Sequence, residues 1–395
     1  MGCSWMRTSL LISSTLLWLG LPLLGSQLGD SLVLERSDRS LVVEGSASVL
    51  AQSAPAQSAP AKPTSPKPAP INDEEVTYPL SPPPPRIDPL PTERREQENP
   101  NNLEADYRVS ALQPGYSGSL WVGSWQGLSR IDPNTGKVLA RISIPNRTIG
   151  ALAQDKVGRI WVGTYEGLLR VDPRSNEVTA QNFTLPSNRI LSLLIDNRGY
   201  LWVGTDRGLA LISPDQGLLM TTLQDLPGVS ANVLSLDSAG QLWVGTLDGL
   251  VRINTASAQI ITRVSNLPTL TTIQALTLGP RGTLWAGTPS SLLEIDATTG
   301  GVLRSVTQLR GRNVTAVRFD KVGSAWVGTN AGLIRLNPYN GAVVGQIADL
   351  PSAQVLSLSP DTANKLWVGT SGGLAWVSLT TGQARPHLAF IRPDS

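Results

Sequence analysis

Nucleophilic, metal and proton-shuttle chemistry needs His, Cys or converging carboxylates, and this chain is poor in the first two. Its 395 residues include one Cys, Cys3, and one His, His387. A single imidazole near the end of the sequence cannot build a His/Cys metal cluster or an ordinary Ser-His-Asp triad. His387 is expected to be an outer-strand residue, sitting in the last strand. Cys3 precedes an apolar run, and removal of that run would leave no thiol and no disulfide. Carboxylates recur as Asp-x-x-Gly at Asp155–Gly158, Asp196–Gly199, Asp237–Gly240 and Asp320–Gly323. Their regular recurrence marks them as turn formers rather than catalytic acids: Asp opens a tight turn and Gly accepts positive φ. Lys plus Arg total 32 against 30 Asp plus Glu, with a net charge of +2 and no basic block. That balance argues against a nucleic-acid partner. No cofactor is expected.

What remains is recognition chemistry at seven short, variable dipeptides: Trp125-Gln126, Tyr165-Glu166, Asp206-Arg207, Leu247-Asp248, Pro289-Ser290, Asn330-Ala331 and Ser371-Gly372. The first three are aromatic or charged and the later ones plainer. Trp125, Tyr165, Asp206 and Arg207, with Arg147 and Arg189 from nearby connections, form a candidate contact patch. Aromatics beside Arg and Asp suit a protein hot spot or a sugar platform. The bland alternative is that these are simply solvated, variable loop tips.

The elements that position them are legible in a repeated phrase. Leu120-Trp121-Val122-Gly123-Ser124 returns as Ile160-Trp161-Val162-Gly163-Thr164, and the Trp recurs at 121, 161, 202, 243, 285, 326 and 367. A period of about 41 residues over seven all-β units predicts a seven-bladed β-propeller of four-stranded antiparallel blades. In the second unit the expected strands are Ile149 to Gln154, Arg159 to Gly163, Gly167 to Val171 and Glu177 to Phe183. The second strand is apolar with almost no alternation, so both of its faces are buried. Its Trp is expected to pack between blades, and the Gly two residues later to permit close approach. Each unit holds its own four strands, so ring closure is expected to rest on packing of blade seven against blade one. In such a fold the tips between second and third strands share a face with the connections between blades, and variant loops there carry specificity.

The preceding sequence differs. Arg7 and the apolar run Leu10 to Leu24 resemble a secretory signal, short for a membrane span. Two readings stand for residues 1–26: a cleaved signal peptide or an uncleaved N-terminal anchor. Residues 27–102 are expected to be a disordered linker, rich in Pro, Ala and Ser from Ala51 onward, and residues 103–395 the propeller. These features predict a periplasmic or otherwise exported protein, tethered to a membrane only if the anchor is retained.

The phrase Leu201-Trp202-Val203-Gly204-Thr205-Asp206-Arg207-Gly208-Leu209, preceded by Asp-x-x-Gly, resembles the repeat of the two-component regulator propeller family. All seven units carry the resemblance. Blade five departs with Ala286 and Ser291, and blade one with Ser124. The resemblance implies the propeller and an exported sensor-like compartment. No transmembrane span or kinase His is read after the last strand, so phosphotransfer is not implied. The expected function is a non-catalytic protein-interaction module of the cell envelope. The alternative is a stand-alone periplasmic binder of glycans or other small ligands, favoured if aromatics cluster in the central funnel. A remote third reading is an enzyme. Streptogramin-inactivating lyases are seven-bladed but rely on His, and metal-dependent lactonases use carboxylates and Asn, here Asp206, Asp248 and Asn232.

Overall fold

The computed structural model describes residues 106–391 except 145–147, 182, 265–266 and 268–271. The apolar run, the Pro-rich segment and Arg147 lie outside the described residues. Within them the chain forms seven four-stranded antiparallel sheets, each built from four consecutive strands in sequence order. The first strands of the blades surround the axis: Val109–Pro114, Ile149–Gln154, Ile190–Ile195, Val233–Leu236, Ala275–Leu278, Val314–Phe319 and Val355–Thr362. This is the expected seven-bladed propeller.

The second strand is the most buried of each blade. All five residues of Ile160–Thr164, Leu201–Thr205 and Leu242–Thr246 are buried. A strand enclosed on both faces has no use for polar alternation, and the sequence shows none. The outer strands do face solvent on one side, and Gln259–Val264 alternates exposed and half-buried residues accordingly.

The core is not one mass but a series of seven clusters, each spanning two successive blades. Trp121 packs with Ile149, Leu152, Ile160 and Val162 of the next blade. The pattern passes round the ring until Trp367 of blade seven packs with Val109, Leu120 and Ile131 of blade one. The repeated Trp is therefore inter-blade mortar, as expected. Losing one such ring to alanine costs about 4 kcal/mol. The following Gly makes the joint possible. A Cβ on Gly123 would lie 2.7 Å from Ile149 Cγ2, and one on Gly287 2.6 Å from Val314 Cγ1. The intruding group is the first inner-strand residue of the next blade.

Two strand ends differ from expectation. The fourth strand of blade two stops at Gln181. Phe183 instead turns inward onto Trp161, with ring centroids 5.2 Å apart, because apolar burial outweighs extending an outer strand. The last strand is Ala384–Pro386, followed by a short 3-10 turn, Leu388–Phe390. His387 thus lies just past the final strand rather than in it.

His387 belongs to the closing joint. Its Nε2 sits 2.7 Å from the Gly136 carbonyl oxygen of blade one, and its ring packs near Trp367 and Phe390. Lys365 Nζ donates to the carbonyls of Pro133 and Asn134 at 3.0 and 2.8 Å. Blade seven supplies all four of its own strands, so closure rests on side-to-side packing plus these hydrogen bonds.

Candidate functional site

Antiparallel blades present two rims. The turns after first and third strands form one, and the tips after second strands form the other with the inter-blade connections.

The turn rim holds most of the carboxylates, and they are committed to structure. Asp155 Oδ1 accepts the backbone N–H groups of Val157 and Arg159 at 3.1 and 2.9 Å. Its Oδ2 accepts the indole N–H of Trp161 at 3.0 Å. Asp196, Asp237 and Asp320 take Trp202, Trp243 and Trp326 in the same way at 3.2, 3.2 and 2.9 Å. Arg159, Arg198 and Arg252 form ion pairs with the first three at 2.6, 2.9 and 2.7 Å. These Asp residues do form the expected turns, and they also bind the indoles. The constant six-residue spacing from Asp to Trp was the available signal for the indole link. Blade five has Gly279 in place of the Asp, and buried Glu294 gathers Arg281, Arg304 and Thr283 instead. Burial raises the Glu294 carboxyl, but hydrogen bonds from Thr283, Arg304 and Arg281 outweigh it and hold the pKa below the usual value.

The tip rim carries the candidate patch. Thr164 Oγ1 donates to the Gly167 carbonyl at 2.7 Å and accepts the Glu166 N–H at 3.2 Å, which fixes the shape of the tip. The same clamp recurs at Thr205, Thr246, Thr329 and Thr370, a scaffold role for the last residue of the phrase that the sequence reading did not assign. Tyr165 N–H donates to the Thr148 carbonyl at 3.2 Å, so tip and connection do share one rim. The Arg189 guanidinium stacks on the Tyr165 ring, 4.9 Å from its centroid. Trp125 is 45% exposed and Tyr165 41% exposed. Arg207 is exposed, with its backbone N–H held by Thr205 Oγ1 at 3.1 Å. Asp206 is only half-buried overall, but its Oδ1 is enclosed and has no hydrogen-bond partner among the described residues. Tyr165 and Arg189 are therefore brought together, while Trp125 and Arg207 stand as exposed tips.

An axial cavity of about 200 Å³ runs between the inner strands, lined by groups such as Ser110, Gly150, Asn232, Gln274 and Thr315. No aromatic ring lines it among the described residues. A Cβ on Gly150 would come within 3.4 Å of Tyr165 Cε1, so the Tyr165–Arg189 stack borders the cavity on the tip side. Among the described residues, aromatics thus sit at the tip-side mouth and on the rim of the axial cavity, not within it. Among the described residues no three His, Cys, Asp or Glu side chains converge as metal ligands, and no helix is long and apolar enough to cross a membrane.

The two-component regulator propeller repeat matches residues 143–166 and 184–207, in blades two and three. The chain carries two-component regulator propeller repeats. Among solved structures it is similar to the extracellular domain of a putative hybrid two-component system from B. thetaiotaomicron. That likeness has 18% identity and a TM-score of 0.57, and covers 69% of this chain but 40% of that one. The repeat protein spans well under two thirds of that relative. It is also similar to a catalytically inactive virginiamycin B lyase from Staphylococcus aureus, solved with quinupristin. There the identity is 16% and the TM-score 0.60, over 70% of this chain and 96% of that one. At such identities the likeness establishes the fold. No curated protein matches the sequence significantly.

Proposed function

We propose that this repeat protein is a non-catalytic, exported propeller whose tip rim docks a protein partner in the cell envelope. The observation that carries the reading is the Arg189 guanidinium stacked 4.9 Å from the Tyr165 ring centroid on an exposed rim. A guanidinium resting on an aromatic face holds a rigid amphipathic surface at low entropic cost, the composition of an interface hot spot. Trp125 and Arg207 extend exposed contact chemistry around the same rim. The turn-rim carboxylates are occupied by indoles, arginines and backbone, which leaves them unsuited to acid–base work. Export is supported by the apolar run Leu10 to Leu24 and by the likeness in fold to an extracellular domain.

The test is a crosslinking pull-down from the envelope fraction with the full chain as bait, beside a Trp125→Ala/Tyr165→Ala/Arg207→Ala variant of equal thermal stability. One defined protein captured by the wild type and lost in the variant supports the reading. Equal capture by both, or none by either, rejects it. A second reading, a binder of glycans or other small ligands, rests on the single Tyr165 ring at the cavity mouth and, among the described residues, lacks the cluster of aromatics in the central channel that would favour it.

A further inference from the structure

The residue opposite each blade's Trp on the inner strand is uncharged in six blades: Gln113, Ala153, Leu194, Ser235, Thr277 and Ser359. In blade six it is Arg318. The scaffold is built six times without a cation there, so the fold does not require one. In a repeat protein such a departure is where specificity resides.

Arg318 occupies a particular place. It lines the axial cavity of about 200 Å³ and also a wider funnel of about 600 Å³ that opens on the turn rim. The guanidinium thus stands at the neck between them, on the side opposite the Tyr165–Arg189 stack. It is exposed to this internal space. Six other arginines, Arg159, Arg198, Arg252, Arg263, Arg281 and Arg304, have a carboxylate at 2.9 Å or closer. Arg318 forms no ion pair among the described residues, and its one hydrogen bond runs from Nη1 to the adjacent Val317 carbonyl at 2.9 Å. Enclosure by the inner strands lowers its pKa from the usual arginine value.

The funnel around it suits an organic ligand. Leu112, Pro114, Phe319, Leu358 and Pro360 supply apolar wall. Lys321 adds a second cation at the mouth. Asp361 is the acid of the lining, and its Oδ2 is engaged by the Lys321 backbone N–H at 2.7 Å. Ligand pockets commonly have volumes of about 300–1,000 Å³, with apolar walls and a few convergent polar groups. The planar fork of an arginine matches the two oxygens of a carboxylate or phosphate.

We propose that the turn-rim funnel binds a small organic anion, its carboxylate or phosphate held by Arg318 and its body lying against the Leu112, Phe319 and Leu358 wall. This site is separate from the tip-rim surface, and either can fail alone.

The test is calorimetric titration of the full chain with acetate, benzoate, galacturonate, inorganic phosphate and glucose 6-phosphate. Variants are Arg318→Gln, Arg318→Lys and the rim variant Lys321→Glu. The expected result is an organic anion binding more tightly than acetate or inorganic phosphate, with the carboxylate and phosphate probes distinguishing the head group. Affinity should fall about tenfold or more in Arg318→Gln and less in Arg318→Lys. Lys321→Glu, exposed and outside the packed core, should weaken binding about threefold by placing a negative charge at the mouth. The Trp125→Ala/Tyr165→Ala/Arg207→Ala variant should bind as wild type. The inference is overturned if no probe binds below about 10 mM, or if Arg318→Gln folds and binds equally. If neither Arg318 variant folds, unchanged affinity in Lys321→Glu overturns it.

Discussion

The indole nitrogen of Trp243 lies 3.2 Å from Asp237 Oδ2, and the same oxygen receives Arg252 Nε and Nη2 at 3.0 and 2.7 Å. Asp237 Oδ1 meanwhile accepts the backbone N–H groups of Ala239 and Gln241. One buried carboxylate therefore fixes a turn, orients an inter-blade Trp and neutralises an Arg. Asp237→Ala strands all of these donors and is expected to cost about 3–5 kcal/mol by urea unfolding. Asp237→Asn keeps an acceptor but leaves Arg252 without a counter-charge, and should cost about 2 kcal/mol. A loss under about 0.5 kcal/mol for Asp237→Ala would remove the hub from the account.

Glu294 should make stability pH-dependent. Its folded pKa is lowered, so its contribution is present above the unfolded value and is lost as pH falls through the folded one. Glu294→Gln is expected to destabilise the propeller at neutral pH, with the gap to wild type narrowing below about pH 4. Parallel unfolding curves across that range would contradict it.

Gly123 and Ile149 should be energetically coupled. Gly123→Ala forces a methyl to within 2.7 Å of Ile149 Cγ2 and should cost about 1–3 kcal/mol. In an Ile149→Ala background the added methyl has room, so the same substitution should cost far less. A double-mutant cycle with no coupling would mean the blades separate freely to accept the methyl.

The closing joint should govern the rate of opening. Lys365→Ala removes donors to blade one and the cation 5.9 Å from the Trp367 ring centroid. His387→Ala removes the link to Gly136. The double variant should lose about 2 kcal/mol and unfold faster in denaturant jumps. Arg170→Ala, between blades two and three, loses the same kind of cation over Trp161. If it raises the unfolding rate as much as the double variant, the last joint has no special kinetic role.

The fold was readable because its determinants are periodic. The second strand must be apolar on both faces and must carry a Gly where the next blade's inner strand crosses it, and these demands recur in every unit. Contacts outside the repeat pattern were less readable, since Phe183 turning onto Trp161 within blade two and His387 reaching Gly136 across the closing joint depend on distances in space rather than in sequence. The patch was partly readable. Tyr165 and Arg189 meet as neighbouring variant loops should, but the enclosure of Asp206 Oδ1 depends on the local fold, which a dipeptide cannot report. Arg318 was not legible because variation in a repeat fold is expected in loops, whereas this residue breaks the repeat from inside a strand.

Each blade is a contiguous run of chain, and among the described residues no strand crosses from blade seven into blade one. The ring therefore has no topological beginning. The joint between the last and first blades packs its Trp against the next blade as the other six do, and differs in that no chain connection crosses it among the described residues, so opening the chain at another inter-blade connection and bridging the present joint would give the same disc.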